Sequence, residues 1–447
     1  MSAAPDEREH AVVTGAGAVS ALGAGVTAFW EGVLAGRSGV APVEELRAAG
    51  LEPFHAAAVA GYPAELGGAT RGETAPGAAE PGRSEHVSPQ TERAAALAAM
   101  AAREALADAG LVTPSSSSSP SPSPSPLRSP PSPAPLRALP RWGVVIGTTL
   151  GGYRAVARAV EDGRTLADVR LAGYDGPALA VAGVAGAGGP CWTVSVACCS
   201  GVAAIGEAMR LCASGACDVV LAGGADALSR FVYSGFVALK ALAAGPSRPF
   251  AADRDGLNLG EGACVLVVER AGHARARGAR VRARLRGYGT AGDANHMTGP
   301  HPDGLGAAAG MRAALADAGL APEDVDAVNL HGTGTSYNDR MEARAMAHAF
   351  GARAGAVPVN SIKPCIGHTM GAAGAFEALL GALVLEHGVM PPTPHTAAVD
   401  PDCAPLDVVV GAPRPLARAR IFLSTNSGFG GTNAAVVLER AGDRDQA

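Results

Sequence analysis

Residues 193–201, with the sequence TVSVACCSG, combine a cysteine with a backbone that suits a nucleophile. β-Branched residues alternate up to Val196, and a helical pattern begins at Ser200, so Cys198 lies where a strand gives way to a helix. The free N–H groups and the positive dipole end of a helix favour a thiolate, which is the reactive form of cysteine. The alternative is that Cys198 and Cys199 are small buried apolar residues, as most free cysteines are. This stretch alone leaves both interpretations open.

Other chemically active residues follow predicted strands in the second half of the chain. His331 and His368 each come directly after a short apolar run, and Phe429 lies in a glycine-rich loop after a third run. Lys363 precedes His368 by five residues. Since residues that follow strands converge in layered α/β folds, we expect one thiol, two imidazoles and one amine to meet in a single site with Cys198.

The elements that would position these residues alternate between strands and helices. The predicted strands lack the polar–apolar alternation of a half-exposed sheet, which indicates burial on both faces and a layered α/β architecture. The second half of the chain repeats the pattern of the first. Helices are predicted at about 26–35 and 91–109. The predicted strands cover 11–17, 142–148, 193–196, 216–224, 261–269, 281–285, 325–330, 358–362, 421–425 and 434–438.

The first strand runs into Gly15 and Gly17, which is similar to the start of a dinucleotide-binding fingerprint. The third glycine of that fingerprint would fall at Ser20, and no strand ending in an acidic residue follows at the required distance. A buried strand followed by a close turn is therefore the favoured interpretation.

Two segments have compositions that predict loops. Residues 61–85 are rich in Gly, Ala, Pro and Glu without a period, and residues 115–135 are almost entirely Ser and Pro. A Ser/Pro segment cannot bury a core and favours extended, solvated conformations. We expect a disordered surface insertion there; a ligand for a partner that binds proline-rich segments is the alternative.

Composition limits the class of protein. The 447 residues are 48% hydrophobic and 17% charged, with a net charge of −5, which favours a sizeable core and disfavours a nucleic-acid-binding face. The polar N-terminus lacks the apolar region of a secretory signal. The longest apolar run, 371–390, contains Glu377, Glu386 and His387, so we expect no membrane insertion and a soluble, cytoplasmic protein. The eight cysteines form no CxxC pair, so free thiols are expected and a structural zinc site is not.

With these candidate residues identified, the chain resembles the β-ketoacyl-[acyl carrier protein] synthases, the elongating condensing enzymes of type II fatty acid and polyketide systems. The resemblance runs from Val12 to Glu439, apart from the loops around 61–90 and 115–140. The order and spacing of the motifs both match the family. The matching segments are VACCSG at 196–201, RPFAADRDGLNLGEGA at 248–263, HMTGP at 296–300, VNLHGTGT at 328–335, SIKPCIGHTMGAAGAFEA at 361–378 and NSGFGGTNAAVVLE at 426–439.

The resemblance implies the thiolase fold, a duplicated αβαβα arrangement of five layers with mixed sheets. Its halves are expected at 10–260, carrying the nucleophilic cysteine, and at 261–440, carrying both histidines and the lysine. The implied reaction is a decarboxylative Claisen condensation: an acyl group on the enzyme is joined to malonyl-[acyl carrier protein], giving 3-oxoacyl-[acyl carrier protein] and CO2. The pathway would be fatty acid or polyketide/polyene synthesis.

The resemblance also assigns roles by position. Cys198 is the acyl acceptor, and His331 and His368 are Nε2–H donors to the enolate formed when CO2 leaves. His331 is also a candidate for orienting the carboxylate or water involved in CO2 loss. The backbone amides of Cys198 and Phe429 match the family's oxyanion hole, and Phe429 matches a gate between the acyl pocket and the malonyl site. Lys363 and Glu377 match the charge network of the catalytic site.

Further positions match supporting residues of the family. Thr298, Thr333 and Thr335 match residues that hydrogen-bond the phosphopantetheine arm. Asp339 and Glu342, 8 and 11 residues after His331, match acidic positions on a helix; without the resemblance, a solvated helix face would be the simpler interpretation. No cofactor or metal is implied, because the activated groups arrive on carrier protein. The implied partners are acyl carrier protein and either a second copy or a chain-length-factor subunit, with no nucleic acid.

Some residues depart from the family's pattern, and related proteins offer alternatives. Cys199 stands where Thr or Ser is common, Val196 where Thr is frequent, and Tyr337 beside HGTGTS where smaller residues are usual. A thiolase would need a second reactive cysteine near the C-terminal glycine motif, and an initiating synthase would carry Asn in place of His368. A chain-length-factor-like partner subunit shares the fold but lacks the nucleophile.

Overall fold

The computed structural model describes residues 11–60, 92–111, 139, 141–161, 163 and 173–442. The predicted Ser/Pro insertion at 115–135 and the predicted loop at 61–85 both lie outside the described residues.

Seventeen strands and twelve α-helices make up the described part of the chain, with four short 3-10 helices between them. The strands are β1 (Ala11–Ser20), β2 (Gly23–Ala24), β3 (Ala41–Pro42), β4 (His55–Ala57), β5 (Trp142–Gly147), β6 (Cys191–Val194), β7 (Val219–Asp226), β8 (Leu259–Gly260), β9 (Gly262–Arg270), β10 (Ala283–Gly292), β11 (Ala327–Asn329), β12 (Pro358–Asn360), β13 (Val389–Met390), β14 (Asp407–Val408), β15 (Arg414–Pro415), β16 (Ile421–Gly428) and β17 (Thr432–Arg440). The helices are α1 (Val26–Leu34), α2 (Glu44–Ala48), α3 (Arg93–Asp108), α4 (Tyr153–Glu161), α5 (Gly176–Ala185), α6 (Ser200–Ala213), α7 (Arg230–Ala238), α8 (Ala271–Ala276), α9 (Leu305–Ala318), α10 (Ser336–Phe350), α11 (Lys363–Ile366) and α12 (Ala373–His387).

The main strands repeat one pairing pattern twice. In the first half, β6, β5 and β7 are parallel neighbours, and β9 and β1 continue the sheet antiparallel. In the second half, β12, β11 and β16 are parallel, and β17 and β10 continue antiparallel. A short antiparallel contact between β1 and β10 joins the two sets. The internal repeat predicted from the sequence is therefore present in the strand order.

Five layers arise because most of the long strands bury both faces, whereas β10 is partly exposed on one of them. On β9, Leu266 and Val268 pack with α6 and α12 in a central apolar cluster, whereas Val265 and Val267 pack against α3 and α5 outside. The strands of the second half alternate in the same way between the central cluster and the outer helices α9 and α10. The central helix layer explains why α12 is apolar on all sides. This α/β arrangement confirms the predicted fold class.

Most predicted elements agree with the structure to within a few residues; the strand predicted at 281–285 is longer and corresponds to β10, Ala283–Gly292. The strand before Cys198 ends two residues earlier than predicted, at Val194, and β7 begins three residues later, at Val219. β9 pairs with β1 and β7, so Gly262–Arg270 lies among strands of the first half, just beyond the expected boundary at 260 and 261. That boundary stays a prediction.

One helical stretch, Met370–His387, is long and apolar enough to span a membrane by length and composition. It is 89% buried inside the protein, where it forms the central layer with α6. Its apolar composition therefore reflects burial in the core.

Candidate active site

Cys198 occupies a tight turn between β6 and α6. Ala197, which precedes it, has φ +51, a left-handed conformation that is unusual for a residue with a side chain. Ser200 stabilises the turn: its hydroxyl accepts from the Val196 N–H at 2.9 Å and donates to the Ala197 carbonyl at 2.5 Å. Such backbone conformations concentrate at functional sites, where the surrounding structure enforces them.

The two adjacent thiols point to different surroundings. The Cys198 sulfur lines the pocket and lies 3.0 Å from Nε2 of His368. The Cys199 sulfur instead hydrogen-bonds the carbonyls of Asn426 and Thr432, each at 3.3 Å, within the central apolar cluster. Cys198 is therefore the thiol that a ligand can reach, and Cys199 fills the core.

The expected stabilisation of a Cys198 thiolate by the helix terminus is corrected by the structure. Burial raises the pKa of Cys198 to about 12, and it outweighs the opposing effects of the Lys363 charge and the Phe429 N–H. Asp226 and Glu377 raise this pKa further. The resting site therefore holds a protonated thiol, since a dry pocket penalises the charged sulfur more than nearby dipoles favour it.

His368 presents a hydrogen to the sulfur. The backbone N–H of Met370 donates to Nδ1 of His368 at 3.3 Å, so in the neutral ring the hydrogen is assigned to Nε2, which faces Cys198. Burial and the Lys363 charge hold the pKa of His368 well below its usual value. The neutral ring is therefore a hydrogen-bond donor toward the pocket.

His331 has the same arrangement on the neighbouring wall. Its ring stands nearly perpendicular to that of His368, with the ring centroids 5.1 Å apart. The amide nitrogen of Asn426 lies 3.4 Å from its Nδ1, which assigns the ring hydrogen to Nε2. Burial, Lys363 and His368 all lower its pKa well below the usual range. Two neutral Nε2–H donors thus face one space.

A buried charge network supports the two histidines. Nζ of Lys363 donates to Oε1 of Glu377 at 2.6 Å, and Asn426 donates to Oε2 of the same carboxylate at 2.6 Å. Lys363, Glu377 and Asn426 are all buried. Burial raises the pKa of Glu377, while Lys363 and Asn426 oppose the shift. Because the pair is neutral overall and hydrogen-bonded, it can persist away from water.

Helix α10 carries the two predicted acidic residues into the interior. Glu342 accepts the backbone N–H groups of His331 and Gly332 at 2.6 and 2.7 Å, and burial raises its pKa to about 8. Asp339 accepts the N–H groups of Thr333 and Phe250 at 3.1 and 2.7 Å. These carboxylates hold the backbone of the HGTGT segment and do not form a solvated helix face.

The site opens through a pocket of about 410 Å³. Cys198, His331 and His368 lie along it, and Thr298, Thr333 and Thr335 also line it. The hydroxyls of Thr333 and Thr335 are 2.9 Å apart. The pocket thus combines the reactive residues with hydroxyl groups on its walls.

Phe429 covers one side of the pocket. Its backbone N–H lowers the pKa of the neighbouring Cys198 thiol, and its ring stacks on Phe236 with the centroids 5.5 Å apart. A Cβ at Gly428 would lie 3.2 Å from the backbone nitrogen of Cys198, a tight contact that favours glycine at this position. The two predicted oxyanion-hole amides, those of Cys198 and Phe429, therefore belong to segments in direct contact.

Cys198, His331 and His368 could in principle hold a metal ion, since their ligand atoms lie within 4.8 Å of one another. A histidine that binds zinc must offer a nitrogen lone pair to the metal. Here both Nδ1 atoms accept hydrogen bonds, which leaves hydrogens on the Nε2 atoms that face the pocket. This arrangement suits a developing negative charge on oxygen better than it suits a cation.

The structure brings together every predicted site residue. It also adds two that the sequence analysis did not single out. Asn426 links Glu377 to His331, and its signal was its place at the end of β16, directly before the glycine loop. Asp226 ends β7 and binds backbone groups beside His368. Only its position after a buried strand could have indicated it.

Comparison with known families and proteins agrees with this geometry. The family model for the beta-ketoacyl synthase N-terminal domain matches residues 8–274, and that for the beta-ketoacyl synthase C-terminal domain matches residues 282–397. The chain is 38% identical to the tetracenomycin polyketide synthase ketoacyl synthase alpha subunit of Streptomyces glaucescens, over 97% of each chain. It is 33% identical to 3-oxoacyl-[acyl-carrier-protein] synthase 2 of Coxiella burnetii, over 98% of this chain and 100% of that protein.

Solved structures share the fold over nearly the whole chain. The ishigamide ketosynthase/chain length factor matches with a TM-score of 0.81 and 32% identity, covering 97% of this chain and 100% of that chain. A type II polyketide acyl-carrier protein in complex with its ketosynthase matches with a TM-score of 0.81 and 28% identity, over the same shares of the two chains.

Proposed function

The chain belongs to the β-ketoacyl synthase family, and we propose that Cys198 is the residue that carries the acyl group in its reaction. The protein is a 3-oxoacyl-[acyl carrier protein] synthase, a condensing enzyme of fatty acid or polyketide synthesis. It forms a carbon–carbon bond by decarboxylative Claisen condensation. The 3.0 Å contact between the Cys198 sulfur and His368, both of which line the pocket, is the observation that carries the proposal.

The first step transfers the acyl group. The Cys198 sulfur attacks the thioester of an acyl group on carrier protein, the carbon–sulfur bond to the carrier breaks, and the thiol proton ends on the departing carrier thiol. A thiol with a pKa of about 12 gives a strongly nucleophilic thiolate, but only a very small fraction of it is deprotonated in the resting enzyme. Attack therefore coincides with proton loss and with stabilisation of the oxyanion.

The second step removes CO2 from a malonyl thioester. The electron pair of the breaking carbon–carbon bond moves into the thioester, which becomes an enolate. The neutral His331 and His368 present Nε2–H groups from two directions, and these donors stabilise the charge that develops on the enolate oxygen. Because the pKa values of His331 and His368 are both lowered, the two rings stay neutral. They therefore do not form ion pairs with the carboxylate of the malonyl group.

The third step forms the new bond. The enolate carbon attacks the carbonyl of acyl-Cys198, and the amides of Cys198 and Phe429 stabilise the tetrahedral oxyanion. The sulfur then leaves and takes up a proton from solvent, and the 3-oxoacyl group remains on the carrier. The whole cycle needs no resident cofactor, since both substrates arrive as activated thioesters.

Acyl carrier protein is the proposed partner. The solved relative with its acyl-carrier protein supports this assignment, as does the hydroxyl-lined pocket. Thr298, Thr333 and Thr335 line this pocket, and we propose that they hydrogen-bond the amides of a phosphopantetheine arm that reaches Cys198.

The roles of the site residues can be tested by substitution with acyl- and malonyl-carrier as substrates. Cys198→Ala should abolish condensation, and His331→Ala and His368→Ala should each lower kcat by about 100- to 1000-fold through loss of an enolate donor. Cys217→Ala, at a buried cysteine that does not line the pocket, is the matched control and should keep full activity. Full condensation by Cys198→Ala would refute the proposal, as would iodoacetamide labelling that maps mainly to Cys199.

We also propose a dimer formed through the edge of β6, either with a second copy or with a chain-length-factor subunit. In the described part of the chain β6 pairs on one side, with β5. Trp192 on this strand is 43% exposed, and Leu179 nearby in the first half is 44% exposed. The relative solved as a ketosynthase/chain length factor supports the heterodimer. We infer a cytoplasmic location, consistent with soluble carrier-bound substrates.

A further inference from the structure

Asp226, at the end of β7, is a fully buried carboxylate that the reaction steps above do not use. Its Oδ1 accepts from the Thr148 hydroxyl at 2.7 Å and the Leu150 N–H at 3.2 Å. Its Oδ2 accepts from the hydroxyl and N–H of Thr149, both at 2.8 Å, and from the Gly371 N–H at 2.7 Å. A buried carboxylate with five donors is a rigid anchor for the segments that supply them.

The segment after His368 is fitted closely to this carboxylate. A Cβ at Gly371 would lie 2.7 Å from Oδ2 of Asp226 and 2.7 Å from the Cα of Thr148, so only glycine can bring its N–H this near. Met370, one residue earlier, is held at φ +53, in the left-handed region that disfavours side chains. The bond from Gly371 to Asp226 offsets the cost of that conformation.

The conformation of Met370 determines the hydrogen bonding of His368. It directs the Met370 N–H at Nδ1 of His368, which leaves the ring hydrogen on Nε2, 3.0 Å from the Cys198 sulfur. If Met370 relaxed, Nδ1 would be free to carry the hydrogen, and Nε2 would become an acceptor. An acceptor at that position would repel the enolate oxygen instead of stabilising it.

We propose that Asp226 is a positioning residue that fixes His368 in its Nε2–H tautomer through Gly371 and Met370. It does not line the pocket, and it acts on His368 through the backbone, although its charge also raises the pKa of Cys198. This inference rests on the proposed role of His368 as a hydrogen-bond donor to the enolate. It holds that Asp226, 142 positions earlier in the chain, determines which ring nitrogen of His368 carries the hydrogen.

The tautomer can be measured directly in the unmodified protein. Two-dimensional NMR of protein labelled with ¹⁵N in the histidine rings distinguishes an Nε2–H from an Nδ1–H ring, and His368→Asn identifies the signal. We expect a neutral His368 with hydrogen on Nε2. A wild-type His368 with hydrogen on Nδ1 would overturn the proposal, whatever the variants do.

Asp226→Asn is the informative substitution, because both oxygens of Asp226 accept hydrogen bonds. Asparagine has the same shape, but its NH2 group replaces one of these oxygens and would face hydrogen-bond donors that it cannot accept from. We expect the His368 signal to shift toward a mixture of tautomers. We also expect kcat for condensation to fall about 10- to 100-fold at an unchanged KM, less than the roughly 100- to 1000-fold cost of losing a donor outright.

Glu269→Gln is the matched control. Glu269 is a fully buried carboxylate at the far end of β9 that binds His273 and Arg277. We expect Glu269→Gln to lower the midpoint of unfolding while leaving the His368 tautomer and the kcat of condensation unchanged. Equal losses of kcat in both variants, or a normal tautomer in Asp226→Asn, would reduce Asp226 to a structural role. The tautomer measurement does not depend on activity, so failure of His368→Ala to impair condensation would instead refute the proposed function.

Discussion

At the scale of single residues, the site combines a protonated thiol with two neutral imidazoles. Burial accounts for all three states, because it raises the pKa of Cys198 and lowers the pKa values of His331 and His368. A thiolate–imidazolium pair is therefore absent from the resting enzyme. The charge that the site is built to receive is that of the enolate and the oxyanion.

This state of Cys198 predicts how its alkylation depends on pH. Below a pKa of about 12 the thiolate fraction grows tenfold per pH unit, so the labelling rate with iodoacetamide should rise steadily from about pH 7 to about pH 10. A peptide thiol, with a pKa of about 8.5, should level off within that range. Rates can be followed by mass spectrometry of the Cys198 peptide. A plateau near neutral pH would show that the helix terminus, and not burial, controls this thiol.

Because Lys363 and Glu377 form a buried ion pair, substitutions of the two residues should have non-additive effects on the free energy of unfolding. Lys363→Met leaves an unpaired carboxylate in the interior and should lower the free energy of unfolding by about 3–5 kcal/mol in urea titrations. Lys363→Met combined with Glu377→Leu should cost less than the sum of the single changes, because neither charge then remains. Additive losses would show that the two side chains do not interact.

At the scale of elements, α6 and α12 approach closely enough to bring Cys198 and His368 together. A Cβ at Gly201 on α6 would lie 2.7 Å from the Gly371 carbonyl and 2.9 Å from the Ala375 nitrogen on α12. The small residues in these two helices thus set the spacing of the central layer and, with it, the distance from sulfur to imidazole.

Alanine substitutions at two helical glycines should therefore act in opposite directions. Gly201→Ala forces the central helices apart and should destabilise the protein by about 1–3 kcal/mol. Gly183→Ala, at an exposed position of α5 with open space around it, should stabilise by about 0.5–1 kcal/mol through helix propensity. Thermal unfolding of both variants tests this. A neutral Gly201→Ala would mean that the helix spacing adjusts freely.

At the scale of the whole molecule, the duplicated halves place their functional residues at one end. The thiol comes from the first half and both histidines from the second, so neither half holds a complete site. β6, which pairs only with β5 among the described strands, ends next to the turn that carries Cys198. We therefore expect the dimer interface to support the nucleophile's turn.

Trp192→Lys should dissociate the proposed dimer, because it introduces a charge into an apolar edge. Size-exclusion chromatography with light scattering, on the protein alone and with its partner subunit, should show a shift to monomer. Leu305→Lys is the control: Leu305 is 46% exposed on the outer helix α9, and its substitution should leave the mass unchanged. A dimer that survives Trp192→Lys would place the interface elsewhere.

The sequence by itself determined the residue types, their order and the reaction class. Buried strands, glycine-rich turns and the motifs around Cys198, His331 and His368 are local signals, and they predicted the layered α/β fold and the condensing enzyme, both confirmed. The pathway, the acyl chain and the partner subunit leave no such local mark. The individual roles of the site residues stay predictions that the experiments above address.

Only the tertiary structure decided which thiol faces the pocket, how that thiol is protonated and which hydrogen each imidazole presents. Cys198 and His368 are 170 residues apart, and the donors that fix His368 depend on Asp226 in yet another segment. Burial and hydrogen bonding between such distant segments set pKa values and tautomers, and neither can be read from local spacing. The predicted thiolate failed for this reason: the helix dipole is a local property, whereas desolvation belongs to the folded whole.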